Sequence, residues 1–135
     1  MRSGASFSGV VSEVNSLVGT RLGDSVGSAV TVLANGNYVI CSPTWSASDT
    51  LLKVGAATWV DKNAPRTGAL AAADSLTGAQ AGDQVCDGGV VALNGNSNYV
   101  VSSGRFKSGA VMVGAATWGD GAIGRKGVVS AANSL

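Results

Sequence analysis

The sequence predicts an all-β chain built from two copies of one repeat of about 59 residues. Three observations carry this: self-similarity at a fixed spacing, an apolar but aromatic-poor composition, and short runs separated by turn residues. Asn15-Ser16-Leu17, Asp74-Ser75-Leu76 and Asn133-Ser134-Leu135 recur at 76 − 17 = 59 and 135 − 76 = 59. Gly55-Ala56-Ala57-Thr58-Trp59 returns unchanged as Gly114-Ala115-Ala116-Thr117-Trp118. Gly23-Asp24-Ser25-Val26 returns as Gly82-Asp83-Gln84-Val85. Asn37-Tyr38-Val39 answers Asn98-Tyr99-Val100 at an offset of 61, through extra residues at 94–97. The first copy recovers the difference between Trp45 and Lys53, so both windows read as loops. Within residues 1–135, taken as one unit, the copies are 18–76 and 77–135. Residues 9–17 are an extra version of the segment that closes each copy.

Each copy reads as four short strands. The first spans residues 25–33, where Val26, Val30 and Val32 keep even spacing. Asn35-Gly36 follows as a hairpin signal, read as a two-residue type I′ turn. The second strand is 37–42, and 98–103 in the other copy; it is apolar on both faces, so both are expected to be covered. The third is 53–60, where Gly55, Ala56 and Ala57 let another sheet approach and Trp59 adds one large side chain. The fourth is 68–76 with its equivalents 9–17 and 127–135, read as strand although Ala69–Asp74 is rich in the best helix former.

Composition bounds the function. The chain has 135 residues, enough for one core. Its 45% apolar content is mostly Ala and Val, and charged residues are 13%, below the usual quarter. A net charge of +1 without like-charge runs argues against nucleic acid and against anionic membranes. No apolar stretch approaches the roughly 20 residues of a membrane span. Residues 1–17 lack a signal-peptide pattern, so an exported parent would carry its signal elsewhere. His is absent, which removes the commonest general base and any Ser-His-Asp or Cys-His arrangement. No metal and no cofactor is expected: Cys41 and Cys86 lack CxxC spacing and have no His to share zinc with. The first reading of these cysteines is two small buried thiols. The second is a disulfide between adjacent sheets.

Four strands per copy at a period near 60 suggest a β-propeller blade. Gly23-Asp24-Ser25-Val26-Gly27, a hairpin, then residues 37–43 resemble the FG-GAP blades of integrin-type propellers. Asn35-Gly36-Asn37-Tyr38-Val39-Ile40 and Gly55-Ala56-Ala57-Thr58-Trp59 are more closely similar to blade repeats of bacterial surface proteins of the filamentous-haemagglutinin type. That resemblance covers nearly the whole chain twice and implies an extracellular or cell-surface parent. The calcium sites of FG-GAP blades do not carry over, because residues 34–37 hold no carboxylate. Two blades cannot close a ring of about four to eight. A homo-oligomer of three or four chains is therefore expected, with residues 9–17 and 127–135 competing for one place. The alternative fold is a two-sheet β-sandwich.

The functional expectation is a non-catalytic module, not an enzyme, that self-assembles and presents a binding surface for a protein or glycan. Asp24 and Asp83, equivalent across copies, are expected to cap turns. Tyr38, Tyr99, Trp59 and Trp118 are expected to share repeated packing roles. Trp45 and Phe106 stand in matching places after the second strand, and Arg105 and Lys107 flank Phe106. Exposed, such rings would stack on a sugar or anchor an interface; this is the alternative lectin reading. Gly119-Asp120-Gly121-Ala122-Ile123-Gly124 matches GxGxxG, but another strand follows it where a dinucleotide site needs a helix, so it reads as a loop. Two copies, a duplicated terminal segment and an opening Met1-Arg2-Ser3 also fit an excised or engineered piece of a longer array.

Overall fold

A computed structural model of the chain describes residues 8–135, so the opening Met1-Arg2-Ser3 lies outside the described residues. The first copy contributes β1 (Leu17–Val18), β2 (Ala29–Val32), β3 (Tyr38–Ser42), β4 (Ala56–Val60) and β5 (Gly68–Ala69). A single 3₁₀ turn, Ala72–Asp74, precedes β6 (Leu76–Thr77). The second copy adds β7 (Gly89–Ala92), β8 (Tyr99–Ser103), β9 (Lys107–Ser108), β10 (Val111–Met112), β11 (Ala115–Gly119) and β12 (Gly127–Val128). Among the described residues there is no α-helix, so none could cross a membrane.

Both copies lay down the same antiparallel meander. β2-β3-β4 extends through β6 and β12 into a five-stranded sheet, while β7-β8-β11 forms a three-stranded one. β1 pairs with β5, and β9 with β10. The fourth place in the first meander is filled where the first copy passes into the second: β6 pairs with β4, Leu76 opposite Ala57 and Thr77 opposite Ala56. Leu135 does the same for β11, exchanging backbone hydrogen bonds with Ala116 at 3.0 and 2.9 Å. Beside these contacts, Thr58 and Ser75 hydroxyls meet at 2.7 Å, and Thr117 and Ser134 at 2.6 Å.

Two local expectations are corrected. The fourth strand is not continuous over 68–76: β5, the 3₁₀ turn and β6 divide it. Short strand pairing occurs only where the neighbouring segment supplies partners, as when Gly68 and Leu70 N–H groups bond to Ser16 and Val18. The hairpin is not a two-residue type I′ turn either. Gly36 has φ +89°, but Asn35 stays out of the left-handed region, and Leu33 pairs with Asn37 around three residues. A three-residue loop needs only one left-handed position, and glycine occupies it without a Cβ penalty.

The core lies between the two sheets, and unlike faces meet there. Cross-strand partners project on the same side. Thr31, Val39 and Trp59 are such a set, as are Cys41 and Ala57. This face meets the side of the second sheet that carries Val90, Val101 and Tyr99. The copy-equivalent of Val39 is Val100, on the opposite side of the second sheet. The sheets therefore stack head to tail, not as mirror partners. One face of β3 is deeply buried through Val39 and Cys41; on the other Ser42 is buried but Tyr38 and Ile40 are half-covered, which revises the expectation of two covered faces.

Cys41 and Cys86 are joined across this core with Cα atoms 5.6 Å apart. The first reading, two free thiols, is thus replaced by the second. Both positions are buried, but burial alone could not reveal that β3 and the turn before β7 meet.

Candidate functional site

The GDxV turns position the rest of the molecule. Asp24 Oδ2 accepts backbone N–H bonds from Thr20 and Arg21, and Oδ1 from Ser46. Asp83 repeats the pattern with Ala79, Gln80 and Lys107. Each carboxylate is buried and pins the turn to the loop that follows the second strand of its own copy. The second turn also docks on the first copy. Gly82, Gln84 and Val85 N–H groups donate to the carbonyls of Leu52, Lys53 and Val54 at 2.9, 3.1 and 3.0 Å. Gly55 makes this approach possible: a Cβ there would lie 2.2 Å from the Val85 nitrogen.

A second contact closes the stack. The Gly121 carbonyl accepts from Asn35 Nδ2 and Asn37 Nδ2 at 2.9 Å each, and from Trp59 Nε1 at 3.1 Å. The loop that matches GxGxxG thus covers Trp59. Tyr99, on the facing strand, is buried and its hydroxyl accepts the Arg125 N–H at 2.9 Å. Burial pushes its phenol pKa above the ordinary value.

The residues singled out for ligand contact divide. Trp45 is 4% exposed and packs with Val54, Ala56 and Leu70. This corrects the expectation of an exposed ring there. Phe106 holds the same backbone position: its carbonyl accepts from Gly114 as Trp45 accepts from Gly55. It is half-buried, and with Lys107, Val113, Gly114, Val129 and Leu135 it lines an open groove of about 580 Å³. Arg105 stands outside that groove and pairs with Asp87 at 3.7 Å, while Lys107 Nζ donates to the Ala81 carbonyl.

Val113 and Gly114 in that groove are the counterparts of Val54 and Gly55, against which residues 82–85 sit in the first copy. Val54 is fully buried there, whereas its equivalent Val113 is 58% exposed. Beside the groove the outer face of the second sheet presents Val91, Val100 and Trp118, the last 48% exposed. At the other end of the stack Val30 and Val32 are exposed next to Tyr38 and Ile40. The candidate site is thus a pair of apolar end faces, with the groove on one of them. Motif reading singled out Phe106 and Lys107 but missed the valines, because an exposed Val looks like a buried one until the copies are superimposed. Among the described residues no three His, Cys, Asp or Glu side chains cluster to hold a metal ion.

The chain belongs to the family described as a repeat of unknown function (DUF5650), which matches residues 2–28, 32–87 and 93–135. Those spans keep the internal spacing, 87 − 28 = 59 and 93 − 32 = 61. Neither a curated protein nor a solved structure matches the chain.

Proposed function

We propose that this chain is a non-catalytic repeat module that associates with copies of itself into a β-propeller and presents a binding surface. The observation that supports this best is the head-to-tail stacking of its two sheets. A stack of unlike faces leaves one face of each kind unpaired, and such interfaces propagate until a ring closes. Antiparallel four-stranded meanders stacked face to face are the units of a propeller, and three or four chains would reach about six or eight blades. A sandwich complete in one chain would leave Val30, Val32, Val91 and Trp118 uncovered, more apolar surface than its small core makes reasonable. The non-catalytic reading rests on the absence of His and on the engagement of Asp24 and Asp83 with backbone N–H groups. The resemblance to filamentous-haemagglutinin-type repeats suggests a cell-surface parent.

Tryptophan accessibility tests the reading. Trp45 is buried and Trp59 lies under a loop, so Trp118 is the ring that association would cover. At high protein concentration acrylamide should find no accessible tryptophan component that the substitution Trp118→Phe removes. A persistent component that this substitution abolishes would contradict self-association through that face.

A further inference from the structure

We propose, building on the self-association reading above, that a second copy of this chain docks on the open end of the second repeat just as the second repeat docks on the first. Its turn 23–26 lies along residues 111–114, and its Val30 meets Val91. The internal contact supplies the template. Residues 82, 84 and 85 donate to the carbonyls of 52, 53 and 54. At the repeat spacing of 59, the donors become Gly23, Ser25 and Val26, and the acceptors Val111, Met112 and Val113.

The donor turn is already formed. Gly23 and Ser25 have φ +84° and +45°, against +81° and +47° at Gly82 and Gln84. On the receiving side Gly114 already has the backbone of its counterpart, φ +73° against +76° at Gly55, whereas Lys53 is left-handed at φ +52° and its counterpart Met112 lies in β10, so docking re-forms that one residue. At Gly55 the space is filled by Val85, whereas at Gly114 the nearest atom to an added Cβ is 3.6 Å away. The groove is open. Phe106, Val113, Val129 and Leu135 line it together with Lys107 and serines, and the Lys107 ammonium is already engaged by the Ala81 carbonyl, so the partner it fits is another GDxV turn and not a charged ligand.

The sheet faces map at an offset of 60, because Thr31 pairs with Val39 as Val91 pairs with Val100, and Val30 with Ile40 as Val90 with Val101. Thr31 Oγ1 donates to the Val90 carbonyl across the internal stack. Their copy-equivalents are Val91 and Val30, exposed by 61% and 57% at opposite ends of the chain. Stacking a second copy brings this pair together and covers Trp118 as Trp59 is covered. Leu135 already holds on β11 the place that Leu76 holds on β4. The arriving copy therefore joins from residue 18 onward, and its residues 9–17 yield that place.

A charge-swapped pair tests the docking by light-scattering mass. Both side chains are exposed within one chain, so Val91→Lys and Val30→Glu leave the core intact. The unaltered chain is expected as a multiple of 13.2 kDa, and each variant alone at the mass of one chain. The chain carrying both substitutions is expected to regain the higher mass whatever the number of chains, because Lys at 91 then faces Glu at 30 at every junction. Rescue also requires both substitutions to leave the chain folded. Variants that retain the assembled mass, or dissociate without rescue, would overturn this docking while self-association stands. An unaltered chain at 13.2 kDa would overturn both.

Discussion

Asp83 is fully buried, and its two oxygens accept three backbone N–H bonds from two separate segments. Removing such an acceptor strands donors away from water, so Asp83→Ala is expected to lower unfolding stability by roughly 3 kcal/mol. Urea unfolding of the variant reads this, and a loss under about 1 kcal/mol would show that water replaces the carboxylate. The recurrence of Gly-Asp-x-Val made a turn legible at this residue. The third donor was not legible, since Lys107 lies 24 positions away. Trp45 shows the same limit. Its place after a strand in a variable window suggested exposure, yet Val54 and Leu70, remote in sequence, enclose it. Cys86 stands where the first copy has Gly27, and both are left-handed, at φ +73° and +81°. Superimposing the copies would have flagged this cysteine, because an L-residue tolerates such backbone only when surrounding structure holds it.

At the scale of elements, the longer strands were visible and the shortest were not. β3, β8, β4 and β11 each run five residues, enough for alternation and repetition to declare them. β1, β5, β6 and β12 are two residues each, below any readable period, and exist because a neighbouring segment offers partners. The tie between β3 and the turn before β7 is the element-scale feature with the clearest energetic consequence. The disulfide spans 45 residues, and closing a loop of that length is expected to stabilise by about 4 kcal/mol through the unfolded chain. Guanidinium unfolding with and without reductant checks this. A matching drop in stability on reduction is the expected outcome; coincident curves would mean the cross-link adds nothing to a stack already held by the Gly121 and residue 82–85 contacts.

For the whole molecule, repetition made the two-copy architecture legible, but not how the copies meet. The sequence contains no mark of which strand face packs inward, because β3 and β8 are apolar on both sides. The structure resolves it: the side bearing Val39 packs on the side bearing Tyr99 and Val101, so the interface between the copies joins unlike faces. From that geometry follow the exposed valines at both ends and the open groove beside Phe106. The measurement that tests this most directly is the solution mass of the unaltered chain by light scattering coupled to size exclusion. Association of unlike faces predicts three or four times 13.2 kDa; a single-chain mass across the accessible concentration range would contradict it, and the two sheets would then stand as a finished sandwich.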